Sequence, residues 1–530
     1  MKRTLLILTL VMLFVPCILA QKGNIWDVLH QKEGGPPAVS PLPTDLQLKY
    51  QRMEKQMFIH FSVNTYTGKG WGDGTEDPDV FNPIGLDCEQ WVKLAKGNGY
   101  NTICLTVKHH DGFCLWPSKY TEHSVKNSRW RDGKGDVVRD FTNACKKYGV
   151  NISFYLSPWD RHDKRYNTEA YNNYFINQLV ELMTEYGPVR GFWFDGASGG
   201  KNALCRTPYA WAEYYKVIRK YAPDALIQMM GPDIGGVGNE NAVSPKVNWN
   251  FVSVPLATLS GSKPGKIPVA YFGHTYTKED EESVKEGSEG NYKAIEVLQY
   301  RPKEANTSIL NGWFWNPGSK ARAPQEVRDI YFTSVGGGCT MMLGLAPNRN
   351  GLIPQDQVDA VRQLDKDLKI IFANNFAGKK KVTADKTWKN DKRFAASKIT
   401  DGDPNTYWAG EYQNFTGTLE VDLGKGKTVN LLELQEPVYM GQRISKFKVE
   451  YLSRNNKWEV IYEGFTIGYK CLIRFPAITA QKFRLVIEDA LTTPLISEFG
   501  LYFNPFDEHA NLKDYGPKKT KTGTKEEEAL

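Results

Sequence analysis

Between about residue 55 and residue 372, short β-rich runs alternate with stretches of helical periodicity. Each run is expected to be a strand of a parallel sheet, because each helical stretch can return the chain to the start of the next strand. The candidate strands are 56–62, 101–108, 151–157, 189–195, 225–230, 308–315 and 339–345, with a further one near 249–254. About eight strands with intervening helices predict an α/β fold, a (β/α)8 TIM-like barrel.

After Asn374 the pattern changes to β-like runs with little helical periodicity. Turn residues separate these runs at the spacing of a β-sandwich. We therefore expect a barrel over 21–372, a linker over 373–396 and a β-sandwich over 397–505. Residues 506–530 are polar and are predicted to form a C-terminal tail.

The first twenty residues have the pattern of a secretory signal peptide. Lys2 and Arg3 precede a mostly apolar run, and the small residue Ala20 precedes Gln21. These residues would direct export of the protein to the periplasm or the extracellular space and would then be removed. Lipoprotein anchoring through Cys17 is the weaker alternative, because Pro16 directly before it fits a lipidation signal poorly. Elsewhere the sequence has no apolar run long enough for a transmembrane segment.

Charge and composition indicate which classes of ligand the protein is expected to bind. The net charge of +7 is scattered along the chain, so we expect no nucleic-acid partner. Aromatic residues make up 12% of the chain, and such side chains stack well on sugar rings. The cysteines show no CxxC spacing, and no metal site is predicted. The oligomeric state is left open.

In a (β/α)8 barrel the active site lies at the C-terminal ends of the strands. His60 ends the first predicted strand, His109 and His110 follow the second, and Asp195 ends the fourth in VRGFWFDGA. Adjacent side chains on a strand end point in opposite directions, so the histidine pair is better suited to substrate hydroxyls than to one shared metal ion. The alternative is that the histidines are satisfied core or loop residues.

Asp195 is the strongest candidate for a catalytic residue. A carboxylate nucleophile of a retaining glycosidase needs a second carboxylate as acid/base, about 5–5.5 Å away. Glu240 lies in the Gly-rich loop GPDIGGVGNEN after the fifth strand and is the candidate partner. Two alternatives remain open: Asp195 as a helix N-cap, and Glu240 as part of an ordinary surface loop.

Several long motifs carry a family resemblance. In chain order they are MFIHFSVNTYTGKGWGDGTEDP, LTVKHHDGFCLWPSKYTEHSV, FYLSPWDRH, GFWFDGASG, GNE and NGWFWNPG. Over about 45–372 the sequence resembles the α-L-fucosidases of glycoside hydrolase family 29. The resemblance implies a retaining exo-α-L-fucosidase that acts on a fucosylated oligosaccharide or glycoconjugate and needs no cofactor.

The resemblance also implies residue roles. Asp195 would be the nucleophile that forms a covalent fucosyl-enzyme, and Glu240 the acid/base. The positions that would hold the fucose hydroxyls and ring are His60, Trp71, His109, His110 and Tyr155. Trp313 and Trp315 match an aromatic pair near the pocket, and as alternate residues of the predicted strand 308–315 they would share a face. Which of the two contacts fucose is left open.

Details of the motifs indicate a subgroup. GWGDGTEDP and the placement of Glu240 in GNE resemble the enzymes that act on α-1,3 and α-1,4 linkages in branched glycans. Two positions depart from the family pattern: Gly70, where Glu is frequent, and Gly344, where Asn is common. The alternatives are a broad-specificity α-L-fucosidase and a fucosylated-glycan-binding protein without catalysis.

The C-terminal region resembles the discoidin-type domain of coagulation factors, also called carbohydrate-binding module family 32. The motifs are ITDGDPNTYWAG, LEVDLG, ISKFKVEYL, FTIGYK and FRLVIEDA. The resemblance implies a jelly-roll sandwich, often a binder of galactose-type sugars and in some cases the holder of a structural calcium. A role as a brace for the barrel is an equal alternative. Trp408 is expected in the core of this domain.

Overall fold

The computed structural model describes residues 34–198, 209–255 and 296–507. The predicted signal peptide and the tail from residue 508 onward lie outside these ranges. The strands of the N-terminal domain are β1 (Lys55–Ile59), β2 (Thr102–Lys108), β3 (Asn151–Leu156), β4 (Val189–Phe194), β5 (Leu226–Met229), β6 (Gly235–Gly236), β7 (Phe251–Pro255), β8 (Glu296–Tyr300), β9 (Lys303–Ser308) and β10 (Thr340–Leu345).

Eight of these described strands form one sheet in the order β5-β4-β3-β2-β1-β10-β9-β6. Each strand pairs with its neighbours in the parallel direction. An isolated parallel bridge between Gln228 and Ile234 links the two ends of the sheet. The sheet is therefore a nearly closed barrel, and the predicted (β/α)8 fold is confirmed.

Two predictions about the barrel strands were wrong. The strand expected at 308–315 is β9, Lys303–Ser308, and residues 309–314 after it form bends, in which Gly312 has a φ of 111°. The strand expected near 249–254 does exist as β7, but it pairs antiparallel with β8 outside the barrel. The two-residue strand β6 takes the remaining place in the barrel.

Helices cover the outside of the barrel. The described ones are α1 (Asp45–Met53), α2 (Asn64–Thr67), α3 (Cys88–Gly97), α4 (Val137–Tyr148), α5 (Glu169–Tyr186), α6 (Trp211–Tyr221), α7 (Pro324–Ser334) and α8 (Gln355–Ile371). Helix α4 shows why they begin and end where they do. Asp136 accepts a hydrogen bond from the backbone N–H of Arg139, and Gly149 ends the helix in the left-handed conformation that glycine permits.

Large side chains fill the barrel interior. Phe58 of β1 and Trp193 of β4 belong to strands that are not neighbours, yet their ring centroids lie 5.2 Å apart. Tyr155, Cys104 and Met342 complete this buried cluster. Because the barrel is filled rather than hollow, a ligand has access only at its mouth.

The C-terminal domain is antiparallel, as predicted. Its described strands are β11 (Lys381–Ala384), β12 (Trp408–Ala409), β13 (Gly417–Gln435), β14 (Ile444–Leu452), β15 (Trp458–Gly464), β16 (Cys471–Ala490), β17 (Leu495–Ile496) and β18 (Glu498–Tyr502). Strand β11 lies inside the predicted linker, 373–396, and pairs with β13, so the domain begins earlier than predicted. Trp408 is fully buried in the core of this domain.

The two domains contact each other through hydrogen bonds and an ion pair. The Gln442 side chain donates to the carbonyl of Asn248 and accepts from the backbone N–H of Asn250, both at 2.9 Å. Arg474 forms an ion pair with Asp329 of α7 at 2.6 Å. The C-terminal domain thus braces the segment that follows Glu240. Among the described helices, none has the length and apolar character needed to cross a bilayer.

Candidate active site at the barrel mouth

The predicted site residues gather where the barrel strands end. His60 follows β1, His109 and His110 follow β2, Tyr155 is near the end of β3, and Asp195 follows β4. Parallel strands bring their carboxyl ends to the same face, which explains why residues far apart in sequence meet here. The ring centroid of Tyr155 lies 6.0 Å from that of His60 and 5.7 Å from that of His109.

The Asp195 carboxylate is held from two sides. Tyr155 donates its phenolic hydrogen to Oδ2 at 2.8 Å, and the backbone N–H of Ala197 donates to Oδ1 at 2.8 Å. Burial raises the pKa of Asp195, and these hydrogen bonds lower it in part. Asp195 does not cap the next described helix, which begins at Trp211 with Ala210 as its N-cap residue. The carboxylate is therefore fixed in position while a quarter of its side chain stays accessible.

All three histidines at the mouth are buried and neutral. Burial is the main cause that lowers the pKa of His60 and His109 well below the ordinary value, and it lowers that of His110 to about 3. The Nδ1 atoms of His60 and His109 are buried without a hydrogen-bond partner among the described residues. Buried polar atoms are normally paired, so these two positions are suited to ligand hydroxyls.

His110 is paired differently. Its Nδ1 lies 2.8 Å from Oγ of Ser157, whose hydroxyl donates to the carbonyl of Trp159 at 2.7 Å. Its Nε2 lies 3.6 Å from Oδ2 of Asp195, which is too long for a hydrogen bond. His110 and Asp195 therefore stand side by side without bonding to each other.

Glu240 approaches the same mouth from the loop after β6. Asn239 ties this loop by accepting the backbone N–H groups of Asn241 and Val243 and donating to the carbonyl of Val243. The Glu240 side chain is exposed, and its charge, like that of Asp195, raises the pKa of the Tyr155 hydroxyl beyond the larger effect of burial. Both carboxylates are thus electrostatic neighbours of one tyrosine.

The structure separates the two tryptophans after β9. Trp313 donates its indole N–H to Oε2 of Glu240 at 3.1 Å, and its ring centroid lies 4.8 Å from that of His60. Trp315 instead packs against the main hydrophobic core of the barrel. The expectation that both share one face as alternate strand residues is wrong, because they lie in irregular backbone beyond β9.

Gly344 explains how Trp313 is accommodated. A Cβ atom at this position of β10 would lie 2.7 Å from Cζ3 of the Trp313 ring. No side chain fits there while Trp313 keeps its place. The departure from the family pattern at 344 is therefore coupled to the position of this tryptophan.

Trp71 lies at the rim of the site. It is 49% exposed, and its ring is 5.9 Å from that of Trp159 and 6.5 Å from that of His110. Its loop is held by Glu76, which accepts the backbone N–H groups of Asp73 and Gly74. Arg161 donates to the carbonyl of Gly72 at 2.6 Å and ties the loop to the end of β3. This exposure suits contact with a ligand that projects out of the barrel.

Sequence reasoning missed several residues that line the site. Phe314 is buried with its ring 5.4 Å from His60 and 5.1 Å from His109. Trp159 packs 4.7 Å from His110, and Ser157 holds the same histidine. All three occur inside the quoted motifs, so their closeness to predicted site residues in sequence was the available signal.

In the described part of the chain, no group of three or more His, Cys, Asp or Glu side chains is arranged to hold a metal ion. The site at the barrel mouth offers carboxylates, neutral imidazoles and aromatic rings. These are the groups that acid/base chemistry on a sugar uses. The calcium expected in the C-terminal domain stays a prediction.

Comparisons with known proteins find relatives for both domains. The family model for α-L-fucosidase matches residues 45–371, and the model for the F5/8 type C domain matches residues 381–499. Alpha-L-fucosidase 1 of Arabidopsis thaliana is 35% identical over 477 residues, with 89% of each chain covered. A Ruminococcus gnavus fucosidase solved in complex with fucose is 28% identical with a TM-score of 0.77, over 90% of this chain and 98% of that one.

A further solved structure, a glycoside hydrolase 29 family member from an unknown rumen bacterium, is 34% identical with a TM-score of 0.72. It covers 89% of this chain and 78% of its own. The match to the α-L-fucosidase model spans the whole barrel, and both carboxylates lie within it. The chain therefore belongs to the α-L-fucosidases of glycoside hydrolase family 29, carries a C-terminal F5/8 type C domain, and is a glycoside hydrolase.

Proposed function

We propose that the protein is a retaining exo-α-L-fucosidase in which Asp195 is the nucleophile and Glu240 the acid/base. The observation that carries this proposal is that both carboxylates are held beside the barrel mouth, Asp195 by the Tyr155 hydroxyl and Glu240 by the indole N–H of Trp313. Only an enzyme needs two carboxylates here, so the non-catalytic alternative loses its support.

In the first step, Oδ of ionised Asp195 attacks the anomeric carbon of fucose. The glycosidic bond breaks, its electron pair goes to the departing oxygen, and protonated Glu240 supplies a proton to that oxygen. In the second step, ionised Glu240 takes a proton from water while the oxygen of this water attacks the anomeric carbon. The bond to Asp195 breaks, which releases fucose and restores both carboxyl groups.

The buried groups around Asp195 bind and orient the sugar. His60 and His109 offer neutral imidazole nitrogens that lack partners among the described residues, and sugar hydroxyls can pair with them. The Trp313 ring forms an apolar surface beside His60, suited to the methyl group of fucose. Trp315, which packs on the barrel core, is not assigned a contact with the sugar.

We infer a preference for α-1,3- and α-1,4-linked fucose on branched glycans. The support is the loop 70–76, which is built around Glu76 and presents the half-exposed Trp71 beside Trp159. A rim of two indole rings is suited to stacking with the sugar that carries the fucose. Digestion of fucosylated oligosaccharides with and without the branching galactose, read by mass, tests this. Equal rates on simple and branched substrates would favour the broad-specificity alternative.

Substitution of each carboxylate tests the chemistry. Asp195→Ala is expected to abolish release of 4-nitrophenol from an aryl α-L-fucoside, and azide is expected to rescue it as β-linked fucosyl azide. Glu240→Ala is expected to lose far more activity on natural glycans than on aryl substrates, whose leaving groups need little protonation. Full activity of Asp195→Ala, or equal losses for Glu240→Ala on both substrates, contradicts the assignment.

We also infer export, from the signal-peptide pattern of residues 1–20. N-terminal sequencing of the mature protein tests this. A mature chain that begins at Gln21 supports a soluble exported enzyme, whereas one that begins at Cys17 shows a lipoprotein, and an intact Met1 contradicts export.

A further inference from the structure

A buried serine next to His110 has no assigned role. Ser157 follows β3 and is buried, and its hydroxyl lies between the His110 ring and the protein backbone. Oγ donates its hydrogen to the carbonyl of Trp159 at 2.7 Å. A serine hydroxyl has one hydrogen to donate, so toward Nδ1 of His110, 2.8 Å away, Oγ can act only as an acceptor.

This pairing decides which nitrogen of His110 carries the proton. Burial keeps the imidazole neutral at ordinary pH, since it lowers the pKa to about 3. A neutral imidazole has one N–H, and the hydrogen bond at one nitrogen fixes the tautomer at the other. With the proton on Nδ1, the Nε2 atom presents a lone pair toward the mouth of the barrel.

The Nε2 lone pair faces a second acceptor. Oδ2 of Asp195 lies 3.6 Å away and already accepts the Tyr155 hydroxyl. Two acceptors at this separation cannot bond to each other, but a ligand hydroxyl placed against both can donate to one of them. Because Asp195 must reach the anomeric carbon, the nearest sugar hydroxyl is the one on the adjacent carbon, the 2-hydroxyl.

We propose that Ser157 is a positioning residue that holds His110 in the Nδ1–H tautomer, so that Nε2 and Asp195 together read the 2-hydroxyl of the sugar as a hydrogen-bond donor. This inference rests on the proposed function in its assignment of Asp195. Hydrogen bonds to the 2-hydroxyl strengthen in the transition state of retaining glycosidases, so the tautomer bears on rate and not only on binding.

Without Ser157 the other tautomer becomes available. An Nε2–H would point its positive end at Oδ2 of Asp195, 3.6 Å away, and stabilise the ionised carboxylate electrostatically, which lowers the pKa of Asp195. The acid limb of the pH profile of kcat/KM is therefore expected to move to lower pH in Ser157→Ala. The nucleophile would also be weaker, and the 2-hydroxyl would lose its acceptor.

The chain offers a matched control. Ser153 is a buried serine of β3, and its hydroxyl has no hydrogen-bond partner among the described residues. Ser153→Ala is the same chemical change four positions earlier and removes no contact with His110. Ser157→Thr keeps a hydroxyl at the position and is expected to preserve the tautomer.

The experiment combines nitrogen-15 NMR of histidine-labelled protein with kinetics on an aryl α-L-fucoside and its 2-deoxy analogue. The His110 signals are identified by their loss in His110→Gln. The wild type, Ser157→Thr and Ser153→Ala are expected to show Nδ1–H, and Ser157→Ala to lose it. The preference for the 2-hydroxy substrate is expected to fall about tenfold in Ser157→Ala alone, as for one lost hydrogen bond.

A wild-type His110 that carries its proton on Nε2 overturns the proposal, and this measurement needs no variant to fold. The proposal is also overturned if Ser157→Ala shows the same His110 tautomer, the same acid limb of kcat/KM and the same preference for the 2-hydroxy substrate as Ser153→Ala. Failure of the proposed function is distinguishable, because it would appear as activity in Asp195→Ala while leaving the wild-type tautomer unchanged.

Discussion

The indole nitrogen of Trp313 donates a hydrogen bond of 3.1 Å to Oε2 of Glu240. Trp313→Phe would keep an aromatic ring beside His60 but remove this donor. Glu240 would then be less firmly placed for proton transfer, so we expect about tenfold lower kcat on natural glycans, the effect of one hydrogen bond to a charged group. On aryl fucosides with good leaving groups the loss should be small. Parallel kinetics on the two substrates measure the difference.

Trp315→Phe is the matched control for this prediction. Trp315 follows the same strand and packs against the barrel core. It is expected to change stability slightly and the ratio of the two activities not at all. If both variants lose activity equally on both substrates, the tryptophan N–H does not serve the acid/base.

Tyr155→Phe is predicted to shift the pH profile. The Tyr155 hydroxyl donates to the ionised Asp195 and lowers its pKa, against the larger rise that burial causes. Its removal therefore raises the pKa of Asp195. Because Asp195 must be ionised to attack, the acid limb of kcat/KM should move to higher pH, with about tenfold lower kcat/KM near neutrality.

Tyr100→Phe provides the comparison for Tyr155→Phe. Tyr100 is also fully buried, but its hydroxyl has no hydrogen-bond partner among the described residues. The acid limb of kcat/KM in Tyr100→Phe should coincide with that of the wild type. An unshifted limb in Tyr155→Phe as well would mean that the hydroxyl does not set the ionisation of Asp195.

The meeting of Asp195 with the three histidines could be predicted from sequence alone. His60, His110 and Asp195 each follow an apolar run, and the rule that parallel strands end on one face of a barrel then brings them together. The long connection between strands does not matter for this inference. What the rule cannot supply is the side-chain geometry, such as the hydroxyl of Ser157 under His110.

The strands β6 and β9 could not be predicted from their composition. The β9 sequence KEANTS contains Glu304, an acid that is buried inside the barrel because Trp193 and Tyr50 donate hydrogen bonds to it. Burial also raises its pKa to about 8, so it is protonated at neutral pH. A strand whose inward residue is ionisable has no hydrophobic pattern to detect. The strand was therefore predicted at the more apolar segment SILNGWFW, and Trp313 and Trp315 were wrongly expected to share one face of it.

Gly74→Ala is predicted to disturb the loop that carries Trp71. Gly74 has a φ of 85°, and a Cβ there would lie 2.5 Å from the backbone carbonyl group of Arg161. The left-handed conformation alone costs about 1–2 kcal/mol for a residue other than glycine, and the backbone contact forces the loop to move. We expect KM for branched glycans to rise while kcat on aryl fucosides stays near the wild-type value.

Gly70→Ala tests the same loop without strain. Its added Cβ would meet no atom within 4 Å, and its φ is outside the left-handed region. KM should be unchanged in this variant. A rise in KM of similar size in both variants would show that loop composition, rather than the position of Trp71, controls binding.

The last prediction concerns Gln442, whose side chain joins the C-terminal domain to the segment after Glu240. Gln442→Ala removes both of its hydrogen bonds and leaves the carbonyl of Asn248 and the N–H of Asn250 without this buried partner. Each buried group left unpaired costs about 1–3 kcal/mol, so the loss of partners for two groups should lower the free energy of unfolding by about 2–6 kcal/mol. Calorimetry of the full chain should show a lower Tm.

Gln481→Ala is the matched control. It removes an exposed hydrogen bond to Asp422 and should leave Tm nearly unchanged, since surface substitutions change the free energy of unfolding by about 0.5 kcal/mol or less. Equal Tm values for the two variants would mean that the domain contact at Gln442 adds no stability, and that the barrel holds the segment from Glu240 to Asn250 without help from the second domain.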